Sequence, residues 1–252
     1  METESAGEQI LTIEELTRLF SVLSHDLKSP IFSIDGFSDL LLGDYTDKLD
    51  EEGQDFLRRI RSSAQQMKKV LDEMSHLVKL MARPNARRPT PLREIFEEVI
   101  LKCNYQIEEG GVQVDLPSDL PTVNVDGEKM REAIGTIFAN ALFFNDRPKG
   151  ERTIAIDCSV DPEGYRVCVK DNGIGIDPRY TNQIFELGLK LDKSRGGGPG
   201  YGLYLAKRII ESHGGSMSVE SAPDHGSAFC FTIPRAARPP ALIAQGSATT
   251  RA

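Results

Sequence analysis

The chain has 252 residues, enough for one or two domains with cores of their own. Hydrophobic residues make up 39% and charged residues 27%, and 38 acids against 30 bases leave a net charge of −8, which argues against a nucleic-acid-binding surface. No apolar run approaches membrane-spanning length and the N-terminus is acidic, so neither membrane insertion nor export is expected, and the cytoplasm is the expected location.

Residues 1–9 are expected to be disordered. Apolar Leu16, Phe20, Leu23, Leu27, Ile31, Ile34 and Leu41 then recur at three- and four-residue steps and predict a long helix. A turn-rich stretch, Gly43–Asp50, precedes a second stripe through Phe56, Ile60, Ala64, Met67, Leu71, Met74, Val78 and Met81. Two long helices with a short loop make an antiparallel hairpin over 10–82, and dimerisation into a four-helix bundle is the economical way to cover its stripe.

One histidine stands off this pattern. In Leu23-Ser-His-Asp-Leu-Lys-Ser-Pro30, His25 points about 160° from the centre of the stripe at 100° per residue. Asp26 follows it, and Ser29 falls on the same outward side. A neutral imidazole is a competent nucleophile, and a neighbouring carboxylate can accept one ring N–H and leave the other nitrogen more reactive. Pro30 removes a helical hydrogen bond and predicts a kink just after the site. His76, His213 and His225 lack this setting and read as ordinary surface or core histidines.

Residues 83–91 are read as a linker, since the run Ala82–Pro91 holds three prolines and three arginines. A second domain is placed at 92–234. Leu92–Glu109 and Gly127–Phe144 read as helices, Val112–Leu116 and Val123–Asp126 as short strands, and Thr153–Val160 and Tyr165–Lys170 as a hairpin. The glycine run Asp171-Asn-Gly-Ile-Gly-Ile-Asp177 follows, then a short helix near Pro178–Glu186. A second run, Gly196-Gly-Gly-Pro-Gly-Tyr-Gly202, leads into a helix to Ser212, and Ser216–Glu220 and Ser227–Ile233 close as strands. Helices on one face of a mixed sheet make an α/β sandwich, so the class is α+β: a helical hairpin, then the sandwich. Two glycine loops, one with a carboxylate and one opening a helix, read as a nucleotide site with separate ends for base and phosphates. Cys103, Cys158, Cys168 and Cys230 show no CxxC spacing, so neither a zinc site nor a disulfide framework is expected; three lie in strand-like runs and read as buried small hydrophobes. Residues 235–252 read as a disordered tail.

Taken together, these runs resemble a two-component sensor histidine kinase from about Leu16 to Pro234. Ser24–Pro30 resembles the family's phospho-acceptor motif, and Asp126–Ala141 its asparagine-bearing helix. Asp171-Asn-Gly-Ile-Gly175 is similar to the first glycine box, Ile184-Phe-Glu186 to the phenylalanine box, Gly198-Pro-Gly-Tyr-Gly-Leu203 to the second glycine box, and Gly226–Pro234 to the last strand. Six pieces in the right order are highly specific. The run Asn145-Asp-Arg-Pro148 also resembles a phytochrome-associated subgroup.

The resemblance implies roles. His25 would take the γ-phosphoryl group of ATP, activated by Asp26, with Ser29 where the family positions water for phosphate removal. Asn140 would coordinate Mg²⁺. Asp171 would accept a hydrogen bond from the adenine amine, Gly173 and Gly175 would let backbone pass close to the base, and Gly198, Gly200 and Gly202 would bring N–H groups to the phosphates. Ser227, at the start of the last strand, would belong to the same nucleotide site, and residues 187–200 would form a mobile lid. The partners implied are a second copy of the chain, a response-regulator receiver domain, and a separate sensory protein, the hairpin itself or a further part of the polypeptide as the source of the signal.

The pattern is broken in four places. Thr136 stands for an asparagine, Phe143 for a lysine facing the phosphates, Gly188 for an aromatic and Pro199 for a threonine. Losing a cation beside a triphosphate removes charge stabilisation, which Lys190, Lys193 or Arg195 on the lid could restore. The leading reading is therefore an ATP-dependent protein histidine kinase. Its competitor is a non-catalytic dimeric adaptor or phosphatase with a degenerate nucleotide site. A third, a conformational ATPase or serine kinase of the wider superfamily, is opposed by Thr136 and by a hairpin that carries its own histidine.

Overall fold

A computed structural model describes residues 13–145, 150–160, 162, 164–189 and 200–235. The chain divides into two compact units, Met1–Pro84 and Asn85–Ala252. The expected disorder of residues 1–9 and, apart from Arg235, of 235–252 lies outside the described residues. Among the described residues no helix is long and apolar enough to cross a membrane.

The first unit is the expected hairpin. Helix α1 (Ile13–Asp44) and helix α2 (Glu51–Ala82) are joined through a short 3-10 turn at Thr46–Lys48. Asp50 caps α2, its carboxylate accepting the Gly53 N–H at 2.8 Å, while Glu51 and Glu52 sit favourably at the positive end of the helix dipole. Helix α1 runs unbroken through Pro30, which forgoes only its own N–H bond to the Asp26 carbonyl.

The seam between the helices is mixed rather than oily. Ile31 and Ala64 are buried, but so are Ser24 and Ser38, and the Ser38 hydroxyl donates to the Ile34 carbonyl at 2.7 Å. Lys28 reaches Asp72 at 2.6 Å, and Arg61 reaches Asp39 at 2.7 Å. Much of the apolar stripe faces outward instead: Leu23, Leu27, Ile34 and Leu41 on α1, and Phe56, Ile60 and Met67 on α2, are exposed. The single stripe of the sequence is therefore two adjoining stripes, one for the partner helix and one left open.

The second unit begins earlier than its expected start at residue 92. Residues 85–91, read above as linker, belong to it: Asn85 and Arg87 bond to the Ser212 carbonyl at 2.9 and 2.8 Å. Strand β1 (Arg88–Pro91) then leads to helices α3 (Leu92–Lys102) and α4 (Asn104–Gly110), and to strands β2 (Val112–Asp115) and β3 (Thr122–Val125). Strand β1 pairs antiparallel with β3 as a separate ribbon, an edge position that tolerates its prolines. Helix α5 (Gly127–Phe143), strands β4 (Arg152–Val160) and β5 (Gly164–Asp171), helix α6 (Gly202–Ser212) and strands β6 (Met217–Ser221) and β7 (Ser227–Pro234) follow.

The main sheet runs β2-β4-β5-β7-β6, with β2 and β4 parallel and the other pairs antiparallel. Its strands alternate: Ile154 and Ile156, Val167 and Val169, and Phe229 and Phe231 are buried. The same core holds Phe96 of α3, Ile134, Ile137 and Phe138 of α5, and Ile209 and Ile210 of α6. Each such side chain stabilises the fold by roughly 1.5–3 kcal/mol relative to exposure. The alternate strand positions carry ion pairs instead, Lys170 with Asp157 and Arg166 with Glu220.

Two sequence expectations are corrected. Pro178–Glu186 is a series of tight turns, not a helix: Tyr180, Gln183 and Glu186 donate N–H bonds to the carbonyls three residues before them. In this stretch Ile184 alone donates four residues back, to the Tyr180 carbonyl, so no ladder of helical bonds builds up. Cys168 and Cys230, read as separate buried hydrophobes, form a disulfide across register partners of β5 and β7, with Cα atoms 4.0 Å apart. They are 62 residues apart in sequence, so only strand register brings them together. Cys103 and Cys158 are free thiols whose pKa burial raises.

Candidate functional site

His25 stands out from α1 with 86% of its side chain exposed, and its Nδ1 lies 3.2 Å from the Asp26 carboxylate. In the tautomer that donates Nδ1–H to Asp26, the Nε2 lone pair is presented to solvent, as nucleophilic attack requires. Ser29 is exposed one turn on, its carbonyl accepting the Ser33 hydroxyl at 3.2 Å. The three expected residues therefore share the open side of one rigid helix.

The second unit gathers the others. Asp171 ends β5 and is the register partner of Ser227, which begins β7, so both side chains leave the same face of the sheet. Both residues are buried, and Asp171 Oδ1 accepts the backbone N–H groups of Gly173 at 2.8 Å and Ser227 at 3.3 Å. A carboxylate held this way is an oriented acceptor.

The glycines of the first box are needed for chain-on-chain packing. A Cβ at Gly173 would lie 2.2 Å from the Phe144 carbonyl oxygen, and the next residue, Ile174, donates its N–H to that oxygen at 3.1 Å. Gly175 has φ +69°, and its missing Cβ would meet the Ala222 carbonyl oxygen at 1.9 Å. The box is thereby clamped between the end of α5 and the β6–β7 turn. Gly202 opens α6 against α5, with Thr136 Cγ2 at 3.0 Å from where its Cβ would be. Tyr201 supplies no side-chain cap, so the first N–H groups of α6 are not satisfied by it.

Asn140 lies one turn along α5 from Thr136, half-buried, and its amide makes no side-chain hydrogen bond among the described residues. An amide oxygen fixed on a buried helix suits a hard cation such as Mg²⁺. Gly200 accepts the Gly188 N–H at 3.0 Å. Gly198, Pro199, Lys190, Lys193 and Arg195, and with them most of the expected lid, lie outside the described residues, as do residues 146–148 of the Asn145–Pro148 run. Phe143 is exposed and stacks edge-on against Phe144 with centroids 4.9 Å apart. Asp177 is held down at about 2 by hydrogen bonds from the side chain and backbone of Arg179.

Sequence reasoning missed Ser221. Its hydroxyl donates to the Gly226 carbonyl at 2.7 Å, accepts the Ile176 N–H at 2.8 Å, and lies 2.9 Å from the Ser227 hydroxyl. It also missed Asn172, whose amide bonds the Thr153 N–H and the Glu151 carbonyl, tying the first glycine box to β4. Neither carries a local signal, because their partners come from distant strands.

Comparison with known proteins assigns the two units. Residues 15–83 match the His Kinase A (phospho-acceptor) domain, and residues 125–237 match the histidine kinase-, DNA gyrase B- and HSP90-like ATPase domain. Cyanobacterial phytochrome B of Nostoc sp. is 33% identical over 226 residues, which cover 87% of this chain and 29% of that protein. The methanogenesis regulatory histidine kinase FilI of Methanothrix harundinacea is 31% identical over 234 residues, 92% of this chain and 26% of its own length. The chain thus spans less than a third of these relatives. In three dimensions it is similar to full-length ShkA crystallised with AMPPNP, at TM-score 0.65 and 23% identity, covering 88% of this chain and 47% of that one. With a phospho-acceptor domain bearing His25 followed by an ATPase domain bearing Asp171, the chain belongs to the sensor histidine kinases of two-component signalling systems.

Proposed function

We propose that the chain autophosphorylates on His25 from Mg-ATP and passes the phosphoryl group to an aspartate of a response-regulator receiver domain. The observation that carries this is the exposed His25 with Asp26 at its Nδ1. Nε2 attacks the γ-phosphorus of ATP, a P–N bond forms, the P–O bond to ADP breaks, and Asp26 holds the Nδ1 proton as charge develops on the ring. Asp171 and Ser227 receive the adenine, with Gly173 and Gly175 shaping the loop around it. Gly200, Gly202 and the start of α6 face the phosphates, a part that the family resemblance extends to Gly198. Asn140 would hold the Mg²⁺, which neutralises phosphate charge when bound. Ser29 is the position from which water is directed at the regulator's phosphoaspartate.

The exposed apolar stripe of the hairpin supports a homodimer built as a four-helix bundle. The input reaches the hairpin from a separate sensory module, a reading supported by the phytochromes among the relatives. The experiment is labelling with γ-³²P-ATP. Wild-type protein should acquire an acid-labile label, and His25→Ala and Asn140→Ala should lose it. A label that persists in His25→Ala removes the acceptor role.

A further inference from the structure

The hydroxyl of Ser221 has one proton and two lone-pair positions, and all three are committed. Gly226 offers a carbonyl at 2.7 Å, which can only accept, so Ser221 donates there. Ile176 offers a backbone N–H at 2.8 Å, which can only donate, so Ser221 accepts from it. Ser227 Oγ lies 2.9 Å away. With the Ser221 proton already spent, that contact is a hydrogen bond only if Ser227 donates. Ser227 therefore turns its proton toward Ser221 and keeps only lone pairs for anything else.

The consequence falls on the base pocket. Asp171, the register partner of Ser227, is an acceptor as well, and its Oδ1 already gathers two backbone N–H groups. A base edge meeting these two residues meets acceptors only. The adenine 6-amino group satisfies them; the guanine 6-carbonyl does not. We infer that Ser221 is a positioning residue for nucleotide selectivity: by taking the Ser227 proton it keeps that hydroxyl an acceptor and enforces adenine over guanine. This rests on the reading of the Asp171 pocket as the ATP site.

The same residue holds the pocket's two edges together. Ile176 directly follows the first glycine box and Gly226 lies in the β6–β7 turn, and Gly175 lies against Ala222 of that turn. A purely structural Ser221 would weaken every nucleotide alike, whereas a proton-directing Ser221 changes their ratio.

The test is titration of the whole chain with non-hydrolysable ATP and GTP analogues in Mg²⁺. The wild type should prefer the ATP analogue, and Ser221→Ala should shrink that preference by about three- to tenfold, the worth of one neutral hydrogen bond. Ser227→Ala should shrink it by a similar factor, and the double variant by no more than either alone, because the two act as one unit. Ser221→Thr, which keeps a hydroxyl, should retain the wild-type ratio and controls for folding. A Ser221→Ala protein that loses affinity for both analogues equally overturns the inference, as do additive effects in the double variant. A wild type that binds neither analogue overturns the site reading itself.

Discussion

The imidazole Nε2 of His213 accepts the backbone N–H of Asp126 at 3.0 Å, across 87 residues of sequence. Its Nδ1 lies 2.8 Å from the Ile209 carbonyl, which can only accept, so the ring is neutral with its proton on Nδ1. Around it Asp126 accepts the Ala86 N–H at 2.9 Å, and Lys129 donates to Asn85 at 2.7 Å. The histidine thus sits beneath the segment where the second unit begins.

That geometry fixes a pH dependence. Burial first, then the nearby Arg87 and Lys129 charges, push the His213 pKa below its ordinary 6.5, against the raising effects of Ile209 and Asp126. Between the folded pKa and 6.5 the unfolded chain binds more protons, so stability falls as pH drops through that window and is unaffected well above it. The melting temperature of the second unit should be flat well above pH 6.5 and decline as the pH falls below it. His213→Gln should flatten the decline; equal slopes in both proteins would refute the assignment.

The Cys168–Cys230 disulfide closes a loop of 62 residues and joins the strands that carry Asp171 and Ser227. A cross-link of that size stabilises by about 2–4 kcal/mol, chiefly by restricting the unfolded chain. For a unit of this size that is roughly 5–15 °C in melting temperature. Reduction of the wild type should lower the second transition by that amount and Cys168→Ser should match it, whereas Cys158→Ser should leave the response intact. A wild-type melt indifferent to reductant would show that the two sulfurs are not bonded in solution.

Phe143 occupies the position where the family resemblance expects a lysine, and it is exposed, so replacing it disturbs little packing. Phe143→Lys returns a cation to the phosphate end of the site. The KM for ATP in the labelling assay should fall by roughly three- to tenfold, in the range of one charge-assisted hydrogen bond partly screened by solvent. An unchanged KM would mean that the charge is already supplied elsewhere.

The parts of this molecule legible in the sequence are those written in local pattern. The hairpin, α5, α6 and the β4–β5 pair follow from periodicity, and His25 was visible because it breaks one. Ser221, Asn172 and the Cys168–Cys230 pair were invisible because their meaning lies in register between strands far apart in the chain. The proline-rich run from 85 to 91 misled because proline excludes helix without excluding an edge strand, and β1 pairs at an edge. Gly173 and Gly175 carry a second meaning that the sequence did not show: protein backbone packs where their Cβ atoms would be.

That last point separates two glycines of the second unit by experiment. Gly173→Ala would place a methyl group 2.2 Å from the Phe144 carbonyl oxygen and 2.8 Å from the Asn145 Cα, both backbone, so the first glycine box must move off the end of α5. A forced backbone shift of this kind costs about 1–3 kcal/mol or more, and it should abolish ATP-analogue binding as well as lower the melting temperature. Gly135, inside α5, has only Val99 Cγ2 near its missing Cβ, at an unstrained 3.9 Å. Gly135→Ala should therefore stabilise by about 0.5–1 kcal/mol through lower chain entropy and better helix propensity, with nucleotide binding unchanged. Denaturant melts of the two variants should move in opposite directions from wild type, and a Gly173→Ala protein that binds nucleotide normally would break the link between this packing and the site.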